Sequence, residues 1–303
     1  MMRTDTNTIR LVKMEDRRLT EEAREYLSKS EKERIEYCNQ DEWIGYGAAM
    51  TLLEILEDKF NEPIQLRPEG LLIYSHYNNG KTAILKKFYD MHKLQFDHIN
   101  DEEEMIHEIP IIYLQAPTSP DEGKLYSRIL DELCVPHKRN EKVIEKARLV
   151  NHYLDKLNTK MILVDEIHSA LSGNLNKQRS FVDVLKQLSN QLSLSIILAG
   201  TFEAHSALSI RGETNSRFPS IELPMWSNGK KFRSFVATYE TCLPLREASN
   251  LAENEEIINK LYYESEGLIG KTVRLLKKAA TKAIKSGREK ITLEDIKYLP
   301  TLK

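Results

Sequence analysis

Gly80-Lys81-Thr82 sets a residue without a side chain, a cation and a hydroxyl side by side. Such a trio suits a chain of phosphates: backbone N–H groups converge on the oxygens, the ammonium faces the terminal phosphates, and the hydroxyl holds a divalent cation. The triplet alone arises often by chance, but its setting is specific. It follows the apolar run Leu71-Leu72-Ile73-Tyr74 and opens a stretch with helical periodicity, the strand–loop–helix context that this chemistry needs. Asn78, Asn79, Gly80, Lys81, Thr82 and Ala83 are therefore the candidate residues for ATP, with Mg²⁺ on Thr82. The full motif would open with glycine, where this chain has Ser75; Asn78 and Asn79 tolerate left-handed backbone and let the loop curl.

The matching half is Asp165-Glu166, at the end of the apolar run Met161-Ile162-Leu163-Val164. An aspartate there holds the Mg²⁺ shell, and the adjacent glutamate polarises an attacking water. The competing reading is a switch that binds ATP and scarcely hydrolyses it. His168 is expected beside the site or at the surface rather than as a ligand. Thr201 ends another apolar run, where a polar residue senses a γ-phosphate or simply caps the strand. Arg217, in Ser216-Arg217-Phe218, stands where an arginine reaches a neighbouring subunit's phosphate; a surface salt bridge is the plainer alternative. Lys271 is expected to contact phosphate from a C-terminal lid, with Arg274 a weaker candidate that equally suits a solvated face.

Four short apolar runs (71–74, 109–114, 161–164 and 194–199) must position these residues. Amphipathic stretches at 125–134, 143–157 and 179–192 separate them. Fully apolar strands joined by helices predict an α/β fold with a parallel sheet flanked by helices. Past residue 228 the pattern is helical only, with Gly287 placed to end a helix and Thr292 to Asp295 reading as a capping box. The expected organisation is a charged helical extension over 1–40, a nucleotide-binding domain over 41–228 and a small helical lid over 229–303. Net charge is −2, yet ten basic residues oppose three acidic ones between Gly267 and Lys303, either a phosphate-holding patch or a solvated helix face. No run is long enough to span a bilayer, no secretory signal is visible, and the cysteines Cys38, Cys134 and Cys242 are scattered. A cytoplasmic chain with reduced thiols is expected.

Across residues 40 to 298 the chain resembles the TniB/TnsC family of AAA+ transposition regulators. The resemblance rests on Trp43-Ile44-Gly45-Tyr46, Asn78-Asn79-Gly80-Lys81-Thr82, Gln115-Ala116-Pro117-Thr118-Ser119-Pro120, Val164-Asp165-Glu166-Ile167-His168, Ala199-Gly200-Thr201 and Ser216-Arg217-Phe218. Leu223-Pro224-Met225-Trp226, Leu243-Pro244-Leu245-Arg246 and Ser265-Glu266-Gly267-Leu268-Ile269-Gly270 continue the series. It implies a P-loop AAA+ core with a helical lid, ATP hydrolysis, and homo-oligomers (rings or filaments) on duplex DNA. The implied partners are a DDE-type transposase and a target-selection protein. By the same resemblance Lys124, Ser127, Arg128, Lys138, Arg139 and Lys142 face DNA, a cationic grip on phosphates that ignores sequence. Ser75, His76 and Tyr77 depart from the family's pattern and put nucleotide affinity in question. The alternatives are a non-hydrolysing ATP-bound adaptor and a helicase-loader or initiator ATPase of the same fold.

Overall fold

The computed structural model describes residues 12–14, 17–93, 96–99, 105–209 and 216–296. Two compact units emerge: residues 47–224 form one, and residues up to 46 together with those from 225 form the other. The chain enters the second of these through an antiparallel pair, β1 (Val12–Met14) with β2 (Arg17–Leu19), followed by helices α1 (Glu21–Tyr26) and α2 (Glu31–Asn39). Thr20 caps α1, and Ser30 with Glu33 forms a reciprocal capping box on α2. In α2 the charged run Glu31-Lys32-Glu33-Arg34 is not solvated throughout, because Arg34 is buried at 2% exposure alongside Tyr37 and Cys38.

The unit from 47 to 224 begins with α3 (Gly47–Phe60), then β3 (Leu71–Tyr74), α4 (Lys81–His92) and an antiparallel pair, β4 (Phe96–Ile99) with β5 (Met105–Glu108). It continues with β6 (Ile111–Gln115), α5 (Glu122–Glu132), α6 (Val143–Lys156), β7 (Met161–Asp165), α7 (Leu175–Leu192), β8 (Ser195–Gly200), α8 (Phe202–Ser209) and β9 (Ser220–Glu222). Five strands make one sheet in the order β6-β7-β8-β3-β9, every neighbouring pair parallel. The four expected strands are buried because helices cover them, which is why their sequences are apolar without alternation. Packing of Ile129, Val150, Phe181 and Leu185 against Ile162, Val164, Ile196 and Leu198 builds the core of this unit. β9 is a half-buried edge strand that no apolar run announces.

Returning to the other unit, α9 (Lys230–Thr241), α10 (Glu255–Ser265) and α11 (Ile269–Lys285) pack their apolar stripes with Cys38 and Ile44 into a second core. Gly287, at φ 68°, follows the end of α11, and Thr292 with Asp295 forms the expected capping box on a 3₁₀ turn. Several basic residues of the 267–303 segment are tied up in ion pairs, Lys277 with Asp41 and both Lys282 and Arg288 with Asp295. No helix among the described residues is long and apolar enough to cross a membrane.

Candidate functional site

The phosphate-type loop follows β3, at the carboxyl edge of the parallel sheet, where open α/β sheets place their ligands. Asn78 (φ 56°) and Gly80 (φ 94°) take the left-handed conformations that curl it. Ser75 does not: its backbone is ordinary, its side chain is fully buried, and its N–H donates to the Gly200 carbonyl at 3.2 Å. Glycine's conformational freedom is therefore not needed at position 75. Asn79 tethers the loop, donating from Nδ2 to the carbonyls of Leu223 (2.8 Å) and Pro224 (3.1 Å). Gly80 is the N-cap of α4 and offers no capping side chain, so the first-turn amides at Lys81, Thr82 and Ala83 point outward without an intrahelical acceptor.

The Lys81 ammonium donates to three oxygens, Ser75 O (3.2 Å), Ser75 Oγ (2.9 Å) and His76 O (2.9 Å). Ser75 Oγ in turn donates to His76 O at 3.0 Å. Burial lowers the Lys81 pKa, against the pull of the Glu166 and Asp165 carboxylates. One residue on, Thr82 Oγ1 donates to Asp165 Oδ2 at 2.6 Å, joining the two motifs directly. Tyr113 donates to the same oxygen at 2.9 Å, and its own pKa is raised, first by burial and then by the Asp165 charge. Tyr113 escaped the sequence reading because its phenol sits inside the apolar run of β6. The Glu166 N–H donates to Asp165 Oδ1 at 2.8 Å, and Glu166 itself is left-handed at φ 56°. Its Oε2 lies 3.2 Å from His168 Nε2, while His168 Nδ1 is buried without a hydrogen-bond partner among the described residues. Gly200 permits this packing, since a Cβ there would stand 2.8 Å from both Ala204 Cβ and Ile167 Cγ2.

Thr201 ends β8 beside the site and is buried. Its hydroxyl is buried as well and has no hydrogen-bond partner among the described residues. Amides, an ammonium, a hydroxyl on a carboxylate and a second carboxylate thus converge on one edge. Chemically this set suits a polyanion with a divalent cation and a water to be activated.

The remaining candidates lie elsewhere. Arg217 precedes β9, and its carbonyl accepts from Gly70 N at 2.9 Å, just before β3 begins. It therefore sits at the opposite edge of the sheet from Lys81, roughly 13 Å along the strand direction. Its guanidinium donates to Asn190 Oδ1, and its pKa is lowered by burial and then by Arg67. Lys124, Arg139, Lys138 and Lys142 are exposed on α5 and the loop leading to α6. Arg128 is half-buried, donating to Gln115 O at 2.9 Å. The Ser127 hydroxyl is engaged inward, donating to Gly123 O and accepting from the buried Lys146 ammonium at 2.9 Å. Lys146 also donates to Arg139 O at 3.0 Å and so braces the basic loop, a role hidden in a helix that reads as merely amphipathic. Lys271 belongs to the other compact unit, where it pairs with Glu266 at 2.8 Å.

A five-stranded parallel sheet with the phosphate-type loop after β3 and an Asp-Glu pair at the end of β7 defines the P-loop AAA+ fold. Solved structures share it. Cdc6p from Pyrobaculum aerophilum matches with a TM-score of 0.61 and 13% identity over 85% of this chain and 68% of that one. The Aeropyrum pernix Orc1 protein in complex with DNA matches at 0.61 and 15% over 86% and 67%, and Drosophila ORC bound to DNA at 0.54 and 14% over 94% and 68%. At such identities the likeness is one of fold. No curated protein matches the sequence significantly. The family model described as the bacterial TniB protein matches residues 34–228, well over half of the chain, and the chain belongs to the TniB family.

Proposed function

We propose that this chain is an ATP-dependent regulator of DNA transposition that binds and hydrolyses ATP, assembles on duplex target DNA and connects a target selector to a DDE transposase. The observation that carries the nucleotide part is the 2.6 Å contact of Thr82 Oγ1 with Asp165 Oδ2, beside the Lys81 ammonium. A hydroxyl on a carboxylate is a ready pair for Mg²⁺, and the outward amides of Lys81 to Ala83 with the turn at Asn78 to Gly80 cradle phosphate oxygens. ATP supplies the phosphoanhydride bond and Mg²⁺ neutralises its charge. Lys81 leaves Ser75 and His76 to meet the terminal phosphates. Glu166 leaves His168 to orient water and accept its proton, and Thr201 lies placed to hold that water or the γ-phosphate. Lys271 is assigned to the nucleotide as a lid residue.

Arg217 supports a trans mechanism. Its place at the far edge of the sheet keeps it from its own chain's Lys81, so it serves only a neighbour's phosphate. For DNA, the exposed Lys124, Lys138, Arg139 and Lys142 provide the cationic surface, and Arg128 contributes through its half-buried guanidinium. Membership of the TniB family supports the transposition role and the two protein partners.

Three variants test the reading, with phosphate release and sizing measured with ATP and DNA. Lys81→Ala loses ATP binding. Glu166→Gln binds ATP, assembles and hydrolyses about 10² to 10⁴ times more slowly. Arg217→Ala binds ATP yet hydrolyses about 10³ times more slowly, and regains activity when mixed with Lys81→Ala subunits, whose Arg217 is intact. Wild-type hydrolysis by Glu166→Gln, or by Arg217→Ala, sinks the mechanism.

A further inference from the structure

The loop from Asn61 to Gly70 is fixed at its base and apolar at its tip. Lys59, only 9% exposed, reaches across that base to Glu62 at 3.7 Å and Glu69 at 3.2 Å. Asn61 Nδ2 donates back to Glu57 O at 2.9 Å, closing the end of α3. At the other end Gly70 N donates to Arg217 O, and a Cβ at Gly70 would stand 2.5 Å from Ile196 O, so the strand entry is closely packed. Pro63 and Pro68 stiffen what lies between. On this base Ile64 is 89% exposed and Leu66 92%, the two most exposed large apolar side chains among the described residues. Scattered apolar residues on a surface need no explanation, but two on one braced loop cannot fold away from water.

What adjoins them decides the occupant. Arg67 follows Leu66 and is exposed, and its guanidinium lies near enough to Arg217 to disfavour that side chain's charge. Two cations gathered at one edge call for an anion, and Glu69 alone supplies partial relief. The anion site of this fold lies at the opposite edge of the sheet, around Lys81, with the Asp165, Glu166 and Glu203 carboxylates close by. An arginine pair on one edge and a polyanion site with acidic surroundings on the other complement each other only between two molecules.

We propose that the 61–70 loop is the seat of a second copy of this chain, with Ile64 and Leu66 packed on the neighbour and Arg67 joining Arg217 at the neighbour's nucleotide. The proposal rests on the trans reading of Arg217 given above. It adds an apolar anchor and a second arginine that no local motif marks, since Pro63-Ile64-Gln65-Leu66-Arg67-Pro68 reads as an ordinary helix-to-strand connection.

The test uses the full chain. Ile64→Asp with Leu66→Asp changes two side chains that are already in water, so thermal unfolding of the monomer stays at the wild-type temperature; should it fall, Ile64→Ser with Leu66→Ser replaces the pair. ATP binding at concentrations where the chain is monomeric is expected to be unchanged. Assembly with ATP and Mg²⁺, followed by analytical ultracentrifugation, is expected to need about tenfold more protein or greater, the loss typical of a central interface residue. Arg67→Ala is expected to assemble but hydrolyse at least about tenfold more slowly, and to recover when mixed with Lys81→Ala subunits that retain Arg67. Wild-type assembly by the aspartate pair overturns the proposal even if Arg217→Ala behaves as a trans-acting variant. Wild-type hydrolysis by Arg217→Ala instead overturns the reading beneath it.

Discussion

Arg34 and Lys81 are buried cations, one in each compact unit, and they are satisfied in opposite ways. Arg34, at 2% exposure, donates to both carboxylate oxygens of Glu289 and twice to the Pro244 carbonyl, at 3.0 and 2.6 Å. Lys81, at 6% exposure, gives its protons only to uncharged oxygens of its own loop. The electrostatics follow: the Arg34 hydrogen bond is the chief cause that holds the Glu289 carboxyl below its ordinary pKa, whereas burial pushes Lys81 toward its neutral form. Arg34 is neutralised inside the fold and is a staple; Lys81, like the Lys146 brace, is held by uncharged oxygens, and its place in the phosphate loop is what keeps it for a visitor. The same residue class therefore marks structure in one unit and a candidate binding site in the other, and the partner together with the surrounding loop distinguishes them.

Substitution should separate the two most sharply. Arg34→Leu leaves the partly buried Glu289 carboxylate, at 13% side-chain exposure, without its cation, and is expected to cost about 3 kcal/mol in urea unfolding, the low end for a broken buried pair. Lys81→Met removes a desolvated charge that makes no direct ion pair among the described residues, and is expected to unfold at the wild-type urea concentration or above it while ATP binding is lost. If Lys81→Met destabilises as strongly as Arg34→Leu, the distinction between staple and site fails. Acid gives a second, smaller contrast. Because the folded Glu289 pKa lies below its unfolded value, its contribution is fully present above the unfolded value and is lost as pH falls through the folded one. Wild type should therefore lose stability relative to Arg34→Leu between about pH 5 and pH 3. Other lowered carboxylates, such as Asp295, cancel in that difference. A pH-independent gap between the two proteins would show that Arg34 acts through packing rather than charge.

What was legible in the sequence follows from range. Gly80-Lys81-Thr82 and Asp165-Glu166 could be read because the chemistry needs contiguous residues after apolar strands, and strands covered on both faces advertise themselves. Arg34 could not, since a buried arginine in a helix of alternating charges has the same local pattern as a solvated one. The Ser30 to Glu33 capping box was the available signal that α2 is a built helix, and nothing local says what it packs against. β9 was missed because Ser-Ile-Glu at a half-buried edge carries no apolar run. Within the site, Tyr113, the His168–Glu166 contact and the Lys146 brace arise from pairings between separate elements that spacing does not encode.

The smallest effect isolates the residue that departs from the motif. Ser75 Oγ accepts from Lys81 at 2.9 Å, so its hydroxyl stabilises the arrangement that a nucleotide must undo. A hydrogen bond from a charged group can be worth more than the usual value of about 0.5–1.5 kcal/mol, but Lys81 keeps two other acceptors when this one is lost, so Ser75→Ala should tighten ATP binding by roughly two- to twelvefold. Ser75→Gly should behave alike, because the backbone at 75 is ordinary and gains nothing from a residue that reaches positive φ. Isothermal titration of the two variants separates the causes. Tightening in Ser75→Gly but not Ser75→Ala would assign the effect to backbone freedom, and weakening in both would make the hydroxyl a ligand of the nucleotide. Equal tightening in both would make the Ser75–Lys81 contact what sets the cost of releasing the buried cation of the phosphate loop.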